Sequence, residues 1–136
     1  METEVFVDTS GFYACLVSAD DRHPQAAAAF RSARGRGRFV TTDYVLDESI
    51  TFLRARGHGH LVNRFFEITL SSRVCRVEWM DAGRFDAAQE CLRKNADHSY
   101  SFTDCFSFCV MQQEEIRQAL TKDEHFREAG FEPLLV

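Results

Sequence analysis

Residues 4–17 read Glu4-Val5-Phe6-Val7-Asp8-Thr9-Ser10-Gly11-Phe12-Tyr13-Ala14-Cys15-Leu16-Val17, and they change period in the middle. Glu4 to Val7 is a short β-favouring run. It ends on Asp8-Thr9-Ser10, a stop-and-cap sequence, after which Phe12, Tyr13, Leu16 and Val17 recur at helical spacing. A strand that feeds directly into a helix is the repeating step of an α/β domain, and the rest of the chain continues it. The pattern predicts a helix at about His23 to Ser32 and a strand at Arg38 to Thr41. Helices follow at Asp43–Arg56 and Leu61–Leu70, then a strand at Arg73 to Glu78. A helix over Ala82–Lys94 carries Phe85, Ala88 and Leu92 on one face. A long apolar helix over Phe102–Gln118 leads into a strand at Gln118–Thr121, with a last one at Leu134–Val136. Strands separated by one or two helices imply a parallel sheet covered on both faces, in one α/β domain over residues 1–136.

Composition agrees with that reading. At 136 residues, 45% apolar and 27% charged, the chain has ordinary globular content and enough length for its own core. No basic segment precedes an apolar run at the start, and no apolar stretch approaches a membrane span of roughly 18 residues. The sequence therefore predicts a soluble cytoplasmic protein. Five cysteines, an odd number, read as reduced thiols. Cys105 and Cys109 are four apart on a helix, but burial as small hydrophobes outweighs a metal pair. The net charge of −5 does not advertise a nucleic-acid partner. Setting four carboxylates aside for a metal leaves 17 acids against 16 bases, however, so a nucleic-acid substrate is not excluded.

The chemistry of such a sheet belongs beyond the carboxyl ends of its strands. Asp8 follows the first strand, and Asp123 follows the strand ending at Thr121. Asp104 lies in the first turn of the apolar helix between them. Glu48, inside the helix after the second strand, projects with Tyr44, Val45 and Phe52 and so points toward the interior flank. Each acid has a plain structural reading. Asp8 and Asp123 can cap the helices they precede, Ser101-Phe-Thr-Asp104 fits a capping box, and Glu48 can reach solvent along its stem. Together they are harder to dismiss. Close carboxylates repel by ~4 kcal/mol per pair at an effective dielectric near 20, so a cluster needs a bound cation. An all-oxygen site favours Mg2+ or Mn2+ over zinc.

Four segments carry a family resemblance: FVDTSGFYA, TTDYVLDESITFL, SYSFTDCFSFCVM and LTKDEHFREAGFEPLL. In their order and spacing the chain resembles a PIN-domain ribonuclease of the VapC toxin type along essentially its whole length. The resemblance implies a Rossmann-like three-layer α/β/α sandwich with a central parallel sheet, and metal-dependent endonucleolytic cleavage of RNA. By motif position the acidic set is Asp8, Glu48, Asp104 and Asp123. Thr9 matches the small hydroxyl residue that holds a carboxylate or a metal-bound water, and Asp97 matches an extra acid of one branch. A homodimer and a small antitoxin partner follow from the same resemblance, with Phe12, Tyr13, Leu16 and Leu61–Leu70 as candidate contact surfaces.

For the substrate, Arg31, Arg34, Arg36 and Arg38 gather around two glycines, a basic loop that suits phosphate or simply solvent. Arg54, Arg56, His58 and His60 form a second basic cluster, open to RNA or to a protein partner. Lys122, beside Asp123, is placed to steady a phosphate. The 13 phenylalanines fall on apolar faces and read as core rather than as a stacking platform. Other classes fit less well. An aspartyl-phosphate phosphotransferase that resembles haloacid dehalogenases needs a second Asp where Ser10 stands. A receiver-like module leaves Glu48 and Asp104 without work. A catalytically silent RNA-binding module would have lost an acid.

Overall fold

The computed structural model describes residues 4–32 and 38–136. Five parallel strands form one sheet: β1 (Val5–Val7), β2 (Phe39–Thr42), β3 (Cys75–Glu78), β4 (Gln118–Leu120) and β5 (Glu132–Pro133). Their order is β3-β2-β1-β4-β5. The helices are α1 (Thr9–Leu16), α2 (His23–Ser32), α3 (Asp43–Ala55), α4 (Val62–Phe66), α5 (Ala82–Lys94), α6 (Phe102–Gln113) and α7 (His125–Glu128). Every residue of β1 and β2 is buried, the mark of strands covered on both faces. The expected α/β sandwich is the observed one. Phe6, Phe12, Phe39, Phe65, Phe106 and Phe126 are essentially inaccessible, so most aromatic mass is core. That burial also removes Phe12 from the candidate contact surfaces.

The sheet grows outward from β1 through β2 to β3, then returns to the other side of β1 with β4. Between β1 and β4 lies the switch point where such sheets bind ligands. Gly11 closes it from above. A Cβ there would stand 2.0 Å from the Leu120 carbonyl oxygen, so only glycine lets α1 start directly over the end of β4.

Two departures from the expected elements have local causes. Helix α6 stops at Gln113, five residues early. The Ile116 amide bonds back to Met111 (2.8 Å) and the Glu115 amide to Gln112 (3.3 Å), a Schellman ending with Glu115 at φ 57°. The expected helix over 61–70 is a 3₁₀ turn, then α4, then a wide turn over Glu67–Ser71. There the Thr69 hydroxyl bonds the Phe65 carbonyl and Ser72 that of Ile68, side chains competing for the helical acceptors. On α5 only Ala88 is buried; Phe85 is 45% exposed, its ring against Phe102. The last strand is Glu132–Pro133 rather than 134–136. All five cysteines are free, and burial pushes the Cys75 and Cys105 thiols up to about 12. Among the described residues no helix is long and apolar enough to cross a membrane.

Candidate active site

The carboxyl ends of β1 and β4 bring Asp8 and Asp123 to the same crevice, and one hydroxyl ties them together. Thr121 Oγ1 donates to Asp8 Oδ2 (3.0 Å) and accepts the Asp123 amide (3.0 Å). Its proton is thereby committed, so in the 3.1 Å pair with Ser10 the Ser10 hydroxyl donates; Ser10 in turn accepts the Lys122 amide (2.8 Å). Asp8 stands at the N-cap of α1, yet its side chain makes no capping bond there. Only 5% exposed, its carboxyl is pushed up to about 7 by burial, with the charges of Asp104 and Glu48 adding. The Thr9 amide and the Thr121 hydroxyl act the other way. The capping reading fails for this side chain.

Glu48 reaches the same crevice by a different route than expected. The buried stripe of α3 is Val45, Leu46, Ser49 and Leu53, so Glu48 faces outward rather than toward the interior flank. Its carboxylate accepts a short hydrogen bond from Thr9 Oγ1 at 2.5 Å, the carboxylate-holding role expected for Thr9. Asp104 does cap α6: its Oδ2 accepts the Ser101 amide while Ser101 Oγ accepts the Asp104 amide, both at 3.0 Å. It also stands beside Asp123 and His125. Burial raises its carboxyl, the nearby Asp123 charge adds, and the Ser101 amide opposes. Asp123 likewise accepts the His125 amide at 2.9 Å, so its capping role coexists with its place in the cluster.

His125 is the residue that sequence reasoning missed. Its Nδ1 stands 3.0 Å from Asp123 Oδ1 and 3.7 Å from Asp104 Oδ2. The direction does not suit a hydrogen bond, and Nδ1 is buried with no hydrogen-bond partner among the described residues. Ser99 Oγ, 2.8 Å from Nε2, fixes the ring from behind. The available signal was Asp123-x-His125 directly after a strand; a search for paired histidines passes over it. Thr121 carried a similar signal as the residue between strand and acid.

The expected substrate contacts fare unevenly. The Lys122 ammonium is held by Asp20 (2.9 Å) and Asp21 (2.6 Å). Arg38 precedes β2, at the amino end of the sheet, so it cannot serve the crevice at the carboxyl ends; that assignment is corrected by the parallel topology. Arg36 lies outside the described residues. Asp97 stands beside His98 with its side chain 83% exposed.

One oxygen of Asp104, one of Asp123 and an imidazole nitrogen of His125 lie within 4.8 Å of one another. The Asp104 carboxyl, raised by burial, and the buried His125 nitrogen without a partner are conditions that a divalent cation relieves. The residues fit such an ion. This candidate cluster offers one nitrogen, from His125, beside its carboxylate oxygens.

A parallel sheet with carboxylates gathered at its switch point defines an α/β architecture with a candidate cation site. Residues 5–132 match the PIN domain, and the chain belongs to that family. It is 37% identical over 128 residues to the 23S rRNA-specific endonuclease VapC20 of two Mycobacterium tuberculosis strains, covering 93% of this chain and 95% of that protein. The crystal structure of M. tuberculosis VapC20, a sarcin–ricin loop cleaving toxin, superposes with a TM-score of 0.84. That match has 33% identity and covers 94% of this chain and 96% of VapC20. PAE2754 from Pyrobaculum aerophilum shares the fold at TM-score 0.69 and 14% identity, over 98% and 91% of the two chains.

Proposed function

We propose that this chain, as a single domain over residues 1–136, is an endoribonuclease that hydrolyses RNA phosphodiester bonds using Mg2+ or Mn2+. It acts in the cytoplasm as the toxin of a toxin–antitoxin pair, as a homodimer whose crevice a small antitoxin covers. The observation that carries this is the gathering of Asp8, Glu48, Asp104 and Asp123 at the switch point. It occurs in a chain 37% identical, over 93% of its length, to a 23S rRNA-specific endonuclease. Ribosomal RNA is therefore the substrate class.

A cation held by these acids supplies activated water and neutralises charge on the scissile phosphate. Asp8 and Asp104 would hold it, with Asp123 and His125 beside them. Thr121 keeps Asp8 and Asp123 in register, and Thr9 orients Glu48. Glu48 is left to accept a proton from the nucleophile or to share a second ion. The test is cleavage of total ribosomal RNA with and without EDTA, by wild type, Asp8→Asn and Asp104→Asn. Cutting should need the cation and disappear in both variants, with circular dichroism unchanged. Wild-type turnover in either variant would overturn the site, and EDTA-resistant cutting would overturn the metal.

A further inference from the structure

An acidic crevice in a chain of net charge −5 repels the polyanion that it is proposed to cut, so a phosphate has to be met by a cation on its wall. Among the described residues two cationic side chains border the space between Asp8 and Asp123, Lys122 and Arg56. Lys122 is spent on Asp20 and Asp21. Arg56 is not. It caps the C-terminus of α3, where Gly57 at φ 81° turns the chain, and its guanidinium carbon lies 4.4 Å from the centroid of the Phe52 ring. Among the described residues that ring is the only partner of its guanidinium. Phe52 is itself fixed, edge-on against Tyr13 at 4.9 Å, and both rings line the same crevice.

We infer that Arg56, laid on Phe52 at the rim of the crevice, is a binding site for a backbone phosphate of the RNA strand. This rests on the nuclease reading above. With its carbon over the Phe52 ring and no hydrogen bond or ion pair to another described residue, the guanidinium keeps the paired N–H donors that take a phosphate through two parallel hydrogen bonds. It also orders a long side chain before the ligand arrives, so less rotamer freedom is lost on binding. The neighbouring Arg54 does not border the crevice. The second basic cluster therefore divides, with Arg56 turned to the substrate.

The experiment measures binding of a short labelled single-stranded RNA of mixed sequence by anisotropy across a salt series, in the cleavage-silent Asp8→Asn chain. Arg56→Ala in that background should weaken binding about ten-fold, the worth of a charge-assisted contact. It should also lower the slope of log affinity against log salt by about 0.7, one phosphate on a single strand. Arg56→Lys should restore the slope but only part of the affinity. In the otherwise wild-type chain, Arg56→Ala should act on KM for ribosomal RNA rather than on kcat. Unchanged affinity, or a loss with an unchanged salt slope, would overturn the proposal and leave this arginine to a protein partner or to packing on Phe52. The two readings separate cleanly. Arg56-dependent RNA binding by a wild-type chain that never cuts sinks only the nuclease, while cutting indifferent to Arg56 sinks only the phosphate site.

Discussion

Asp8 is held under Thr121 with its carboxyl raised to about 7 from an ordinary 3.8, and that has a consequence for stability. Below about pH 4 the group is protonated folded or unfolded and contributes nothing. Between there and about pH 7 the unfolded chain gives up a proton that the folded chain keeps, so stability falls as pH rises. Above about pH 7 the penalty is complete. Asp8→Asn should therefore raise the melting temperature of the metal-free protein by several degrees at pH 8, with no gain at pH 4. Thermal scans of both chains in EDTA at the two values check it; an equal shift at both would refute the electrostatic cause. Asp8 and Asp123 were legible because strand ends mark them without any structure, whereas Asp104 and Glu48, both inside helices, joined the set by motif resemblance. How Glu48 gets there was not legible. Its route depends on which face of α3 meets the sheet and on a hydroxyl, Thr9, from another helix. His125 was hidden for the same reason, since its meaning comes from the two carboxylates beside it and from Ser99 behind.

At the level of elements, helix ends separate what local sequence announces from what it conceals. The C-termini of α3 and α7 are marked by Gly57 and Gly130, which sit at φ 81° and 97° and are the residues expected there. The end of α6 has the same hydrogen bonds but places Glu115 in the left-handed region, so the helical pattern reads on through Gln118. Tertiary demand sets this stop, because β4 must start at Gln118 to pair with Val5. The side chain pays a steric cost of about 1 kcal/mol that glycine avoids. Glu115→Gly should accordingly stabilise the protein by about 1 kcal/mol, roughly 3 °C, leaving cleavage unchanged. Urea midpoints measure it, and destabilisation would refute the steric account of this helix end. The wide turn over Glu67–Ser71 was illegible for a different reason. Thr69 and Ser72 hydroxyls look neutral in a helical window and act only once they find Phe65 and Ile68 carbonyls.

At the scale of the whole molecule, residues 8, 48, 104 and 123 meet only because β4 returns beside β1, so the site is a property of the assembled sheet. That assembly also bears on which of two ways of breaking RNA the proposed site would use. Metal-free ribonucleases activate the substrate's own 2′-hydroxyl with a side-chain base, usually paired with a general acid, and leave a cyclic phosphate. The five histidines do not build such a pair here. His58 and His60 stand together, ring centroids 6.0 Å apart, but neither borders the space between Asp8 and Asp123. His98 is separated from His125 by the Tyr100 ring, which contacts both. His125 faces two carboxylates rather than a second base. On the proposed reading the nucleophile is external water, and the 2′-hydroxyl is a bystander. The products should then carry a 5′-phosphate and a 3′-hydroxyl. Cutting should survive 2′-O-methyl or deoxyribose at the scissile position wherever recognition does not use that hydroxyl. End-labelling of the fragments decides it: a 2′,3′-cyclic phosphate would show that these acids serve some other chemistry than hydrolysis of the RNA backbone.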